Sequence, residues 1–145
     1  GLGMAFAKKL NNSDGRVYVL MGDGECQEGT TWESLLQAPH QKLNNITAIV
    51  DFNRIQGSGF VNEILPVDAL KGTAELCGWK VVEINGHDNE QILNALRVKD
   101  AKPILIIAYT VKGKGVSYME NDPAWHAQWP DEEAEKIARK ELSSS

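Results

Sequence analysis

Arg16-Val17-Tyr18-Val19-Leu20-Met21-Gly22-Asp23-Gly24-Glu25-Cys26-Gln27-Glu28-Gly29 is the stretch on which the fold turns. Its first six residues form a short apolar run rich in β-formers, which predicts a buried strand. The run breaks into a glycine-bearing loop over residues 22–29. Thr30 or Thr31 is then placed to cap a helix reaching about Leu43, with Trp32, Leu35, Leu36 and Leu43 at its apolar positions. The strand–loop–helix order recurs along the chain. Residues 46–52 form a second apolar run, 53–66 a loop with Gly57 and Gly59, and 67–77 a helix with Asp68 near its start. Residues 79–84 read as a third strand, and Asn85-Gly86-His87-Asp88 as a turn whose Asp88 caps a helix to about Val98. A fourth strand occupies 103–110. Upstream, residues 2–10 read as a helix closed by the turn Asn11-Asn12-Ser13-Asp14-Gly15. A polar loop over 111–130 leads to a charged helix and serine tail over 131–145. Strands alternating with helices predict an α/β fold, a doubly wound parallel sheet with helices on both faces. Ligands of such sheets sit outside the carboxyl ends of the strands, so chemistry is expected in the loops 22–29, 53–59, 86–88 and 112–126.

The 145 residues suit one domain, and 42% hydrophobic against 24% charged residues supply one core. A net charge of -5 and a pI near 5.2 argue against a nucleic-acid partner. No apolar run approaches the ~18 residues of a membrane-spanning helix, so no membrane partner is expected. Cys26 and Cys77 are too few for a disulfide framework; one bridge between them is compatible with the count, but reduced thiols and a cytoplasmic location are the reading adopted. The chain opens at Gly1-Leu2-Gly3-Met4-Ala5-Phe6-Ala7, which looks like the inside of a helix with small residues on a packed face. A natural N-terminal part before Gly1 is therefore expected.

Asp23 lies between two glycines at the end of the first strand. Glycines there let the backbone approach a ligand closely and free the amides to face an anion. The carboxylate is a hard oxygen donor for Mg2+ or Ca2+. Asn53 stands thirty residues later, in Asp51-Phe52-Asn53-Arg54-Ile55, and offers an amide oxygen of the same kind. If the two strands are neighbours, both oxygens converge on one ion. Mg2+ keeps few protein ligands and fills its shell with phosphate oxygens, so the chemistry inferred is a metal-bridged diphosphate.

Gly22-Asp23-Gly24, a helix, a strand and Asn53 in this order resemble the thiamine diphosphate motif, and within that superfamily the chain resembles transketolase, in its N-terminal, diphosphate-binding domain or separately encoded N-terminal subunit. The likeness extends through Glu28-Gly29, Asn53-Arg54-Ile55-Gln56-Gly57, Ile84-Asn85-Gly86-His87-Asp88, Thr110-Val111-Lys112-Gly113-Lys114-Gly115-Val116, and Met119-Glu120-Asn121 leading to Trp125-His126. It covers the chain from Gly1 to about Trp129 as one thiamine diphosphate domain, residues 1–145. The resemblance implies that Asp23, Asn53 and the backbone carbonyl of Ile55 ligate the metal. It implies that Gly22, Asp23, Gly24 and Glu25 form the cofactor loop, with the Gly24 amide on the diphosphate. Glu28 matches a glutamate near the dimer interface, and His126 a histidine near the diphosphate and the sugar. The family usually follows that histidine with Gly; Ala127 follows here, and the flanking Asn121-Asp122-Pro123-Ala124-Trp125-His126 looks more like the split-subunit type.

Plainer roles stand beside these. Asp23 could cap the next helix, Asn53 could be a turn residue, and Glu28 could be a first-turn carboxylate favoured by the helix dipole. His87 supports its turn and His40 is structural. Lys112 and Lys114 suit either phosphate or solvent. Cys26 packs, and Trp125 and Trp129 are interface or core aromatics.

The resemblance implies an enzyme moving a two-carbon ketol unit from a ketose to an aldose, with sugar phosphates as substrates, through thiamine diphosphate and Mg2+ (or Ca2+). Nothing in the chain matches the pyrimidine-binding domain that carries the activating glutamate. Activity is therefore expected only with a pyrimidine-binding transketolase C-terminal domain or subunit, in a dimer or a heterotetramer. The alternatives are 1-deoxyxylulose-5-phosphate synthase, the α-subunit of a 2-oxo acid dehydrogenase, or a non-catalytic binding module of the same fold.

Overall fold

The structure is a computed structural model that describes residues 1–143. Alternating apolar residues build a four-stranded sheet from β1 (Val17–Gly22), β2 (Ile46–Phe52), β5 (Lys80–Asn85) and β6 (Ile104–Tyr109). All its pairings are parallel, in the order β1-β2-β6-β5. The intervening helices are α1 (Leu2–Leu10), α2 (Gly29–His40), α4 (Ala69–Cys77) and α5 (Asn89–Arg97), and α6 (Glu132–Leu142) follows the last strand. The expected α/β architecture with helices on both faces is therefore present. The charged helix of 131–145 is α6, capped by Asp131, whose side chain accepts the Ala134 N–H; residues 144 and 145 of the expected tail lie outside the described residues.

The two-residue period of a strand divides the sheet into two cores. Ile46, Ala48, Val50 and Phe52 of β2 join Leu105 and Ile107 of β6 against Ala5 of α1, Leu35 and Ala38 of α2 and Leu70 and Ala74 of α4. On the opposite face Ile104, Ile106 and Ala108 of β6 pack with Ile84 of β5 and Ala95 of α5. β6 is buried on both faces, as a central parallel strand should be. β1 lies at the edge, and its Tyr18 and Leu20 are exposed on the face away from α2.

Two local readings change. The helix expected to be capped by Thr30 or Thr31 begins at Gly29 with Glu28 in the cap position, so both threonines fall inside its first turn. The loop 53–66 contains a small antiparallel hairpin, β3 (Ile55–Gln56) with β4 (Gly59–Phe60), followed by the single-turn helix α3 (Val61–Ile64). The cap at Asp88 forms as expected: its carboxylate accepts the N–H groups of Glu90 at 2.9 Å and Gln91 at 3.0 Å.

Candidate functional site

β1 and β2 run side by side with Gly22 opposite Asp51, so the loops that leave their carboxyl ends start from the same level of the sheet. Asp23 leaves β1 there and is 1% exposed. Its backbone N–H donates to the carbonyl of Asp51 at 3.2 Å, which ties the first loop to the second strand. Its Oδ1 accepts the Gly24 N–H at 2.8 Å, and its Oδ2 accepts the N–H of Arg54 in a short hydrogen bond. Arg54 has a φ of 64°, an unfavourable conformation for a side-chain-bearing residue, and this turn aims its amide at Asp23. The next residue back is Asn53. Its Oδ1 accepts the Ile55 N–H at 3.0 Å and its amide Nδ2 donates to Asp51 Oδ2 at 3.0 Å. Asp51 Oδ1 in turn accepts a short hydrogen bond from the Thr110 hydroxyl at the end of β6.

Asp23, Asn53 and Ile55 are thus gathered into one hydrogen-bonded turn cluster. Burial raises the Asp23 pKa above its ordinary value, and the Asp51 charge adds to this, against the lowering influence of the Arg54 and Gly24 amides. Among the described residues Asp23 has no ion-pair partner. A buried carboxylate with two accepted N–H groups, followed across the Arg54 turn by the Asn53 amide oxygen, offers hard oxygen donors of the kind Mg2+ or Ca2+ takes. The residues present therefore fit a divalent hard cation. No set of three or more His, Cys, Asp or Glu side chains poised for a metal occurs among the described residues. A site of this type would hold its ion with one carboxylate and neutral oxygens.

The other expected site residues lie around this cluster at varying distance. Gly22 donates its N–H to Glu25 Oε2 at 3.3 Å, so Glu25 closes the loop on itself. The Gly24 N–H, expected on a diphosphate, is engaged by Asp23. A Cβ at Gly24 would sit 2.8 Å from the Gln56 Cβ, so glycine lets the loop lie against the hairpin. Glu28 is exposed at the start of α2 and makes no side-chain cap there. His126 ends the short 3-10 helix Pro123–His126, and its imidazole lies 3.7 Å from where a Gly57 Cβ would be. The long loop thus folds back over the hairpin that follows Asn53. His87 accepts the Val111 N–H on Nε2 at 2.8 Å and so pins the start of that loop. Lys114 pairs with Glu120 at 3.6 Å. Trp125 packs on Tyr118 with ring centroids 4.9 Å apart, while Trp129 is exposed.

Asp51, Gln56 and Thr110 lie in stretches that the sequence singles out, but their contacts with Asn53, Gly24 and Asp51 are seen only in the structure. Asp51 stands two residues before Asn53, at the end of β2, and that spacing alone does not reveal its contacts.

Cys26 is fully buried beside this loop, and burial, with the charges of Asp23 and Glu25, pushes its thiol up to about 12. Both cysteines are free, and Cys77 is half-buried. In the native protein at pH 8 a neutral thiol reagent is expected to label Cys77 and leave Cys26 unmodified until denaturant is added. Mass spectrometry of the labelled protein checks this; two labels before unfolding would contradict the buried placement of Cys26.

The family described as transketolase, thiamine diphosphate binding domain, matches residues 4–143. The chain belongs to that family. It is 42% identical to an apulose-4-phosphate transketolase subunit of Phocaeicola vulgatus, over 99% of this chain and 52% of that protein. It is 35% identical to the 6-deoxy-6-sulfo-D-fructose transketolase subunit SqwG of a Clostridium species, over 97% of this chain and 52% of that protein. Among solved structures it superposes on the transketolase of Campylobacter jejuni with a TM-score of 0.89 at 36% identity, over 98% of this chain and 24% of that one. The chain spans about half the length of these two transketolase subunits. Membership makes the fold that of a thiamine-diphosphate-binding domain and the relatives' activity that of transketolases. Among the described residues no helix is long and apolar enough to cross a membrane.

Proposed function

We propose that this chain is the diphosphate- and metal-binding part of a transketolase, moving a two-carbon ketol unit from a ketose to an aldose, with sugar phosphates as substrates. The observation that carries the reading is the meeting of Asp23 and Asn53 through the Arg54 turn, in a chain whose family binds thiamine diphosphate. Asp23, Asn53 and the Ile55 carbonyl would hold Mg2+ (or Ca2+), and the ion would hold the diphosphate. Bound thiamine diphosphate supplies the nucleophilic carbon that takes up and releases the two-carbon unit. The chain's own share is to bind and orient: the buried carboxylate sets the charge of the site, and Gly22, Gly24 and Glu25 shape its loop. In this reading His126, which lies over the hairpin, would meet the substrate, and Glu28, exposed at the helix start, would meet a partner domain. The working enzyme would be completed by a pyrimidine-binding transketolase domain or subunit, in a dimer or a heterotetramer. This assignment agrees with relatives that are themselves single subunits of transketolases, matched over about half of their length. The two free thiols accord with a cytoplasmic setting.

Mixing the intact protein with its candidate partner, thiamine diphosphate and Mg2+ tests the reading. Transfer of a two-carbon unit from a ketose phosphate to an aldose phosphate is the expected result. Turnover of pyruvate without ketol transfer would overturn it in favour of the synthase or dehydrogenase type.

A further inference from the structure

An amide side chain is a metal ligand through its oxygen alone, so an asparagine ligand must be kept from turning over. The NH2 group, if presented instead, would repel the ion. At Asn53 two neighbours set the orientation. The Ile55 N–H requires the oxygen on its side, and Asp51, a pure acceptor when ionised, requires the NH2 on the other. Asp51 is itself held by the Thr110 hydroxyl. Thr110 packs against the turn after β5: a Cβ on Gly86 would lie 2.4 Å from its Cγ2, so the glycine there leaves room for it. The chain of contact runs from Gly86 through Thr110 and Asp51 to Asn53, across the ends of β5, β6 and β2.

We infer that Asp51, braced by Thr110, is a positioning residue that locks the Asn53 amide with its oxygen toward the cation. The inference rests on the metal reading of Asp23 and Asn53 given above. Asp51 touches neither the ion nor the diphosphate in this assignment; it acts through Asn53. Removing a partner that orients a metal ligand typically lowers metal affinity about 10–100-fold.

The test is a Mg2+ titration of the intact protein with its partner at saturating thiamine diphosphate, followed by calorimetry, with the melting temperature of each variant recorded beside it. Asp51→Ala is expected to weaken Mg2+ by about 10–100-fold. Asp51→Asn keeps an acceptor for the Asn53 NH2, since its own NH2 can turn to the Thr110 hydroxyl, which then accepts. It should retain most of the affinity. Thr110→Val alone leaves Asp51 an obligate acceptor and should also be mild. Asp51→Asn with Thr110→Val takes the Thr110 acceptor away from the new NH2, which then competes for the Asn53 oxygen, so the amide is expected to invert and the loss to return. That pattern, two mild changes and a severe pair, is a coupling that general destabilisation does not produce. An unchanged Mg2+ affinity in Asp51→Ala, or additive behaviour of the pair, overturns the inference. If Asp51→Ala does not fold, the comparison of the pair with its single variants decides. Asn53→Ala separates the two levels of the argument. A loss there without the Asp51–Thr110 coupling refutes positioning alone, whereas no loss at Asn53 refutes the metal reading itself.

Discussion

Asp23→Ala is expected to abolish Mg2+-dependent binding of thiamine diphosphate, a loss well beyond the ~10–100-fold that changes around a ligand cost. The side chain is the one carboxylate in the proposed donor set, and a hard divalent ion draws most of its protein affinity from such an anion. The same substitution should act differently on the metal-free protein. It removes a buried charge that has no cation, but leaves the Gly24 and Arg54 N–H groups without their acceptor. Each orphaned donor costs about 1–3 kcal/mol and the buried charge costs in the opposite direction, so stability without metal should change far less than binding does. The pH dependence follows from the raised Asp23 pKa. The folded state holds this proton more tightly than the unfolded chain, so Asp23 favours folding more as pH falls through its raised folded pKa toward the ordinary value of 3.8. Above that window the contribution is lost. The difference in stability between the parent and Asp23→Ala, measured by denaturant titration from neutral to acidic pH, should show this slope without metal and lose it when Mg2+ occupies the site. A parent-minus-variant difference that rises with pH would contradict the burial argument.

Leu105→Ala should cost about 2–5 kcal/mol of folding stability, the range for truncating a buried leucine in a packed core. Leu105, the second residue of β6, is 1% exposed, on the face that meets α2 and α4. Its strand lies between β2 and β5, so neither backbone nor helices can close over the void without disturbing two ladders. Against a total stability of roughly 5–15 kcal/mol, this change can leave the domain partly unfolded at 37 °C. Leu20→Ala is the control: the same residue type in β1 is 71% exposed, and its change should stay within about 0.5 kcal/mol. Equal effects at the two positions, read from urea midpoints, would mean that the core is not divided as described.

The sheet was legible because its signal is local. Residues 16–21, 46–52 and 103–110 are apolar runs bounded by turn residues, and each carries a strand within a residue or two of its expected ends. The strand order was not legible, since nothing in residues 79–84 says that this run takes the edge while the later one inserts beside β2. The hairpin within 53–66 escaped because two-residue strands carry no periodicity. At α2 the hydroxyls of Thr30 and Thr31 look like caps, yet Glu28 takes the cap position with a ψ of 133°, so the helix starts at Gly29, two residues before a Thr30 cap would allow and three before a Thr31 cap. For the site, Asp23 and Asn53 stood out by residue type, glycine neighbours and spacing. Asp51 did not: an acidic residue near the end of a strand reads as solvent-facing until the register sets it between Asn53 and Thr110. The Gly24 amide was expected to be free for an anion, and its engagement by Asp23 depends on a carboxylate rotamer that sequence does not carry.

Calorimetric titration of thiamine diphosphate into the intact protein, with Mg2+ and then with EDTA, bears most directly on the claim that Asp23 and Asn53 hold a metal-bridged diphosphate. Binding is expected to appear with Mg2+, to strengthen when the pyrimidine-binding partner is added, and to disappear with EDTA. Binding of equal strength with and without the metal would contradict that claim.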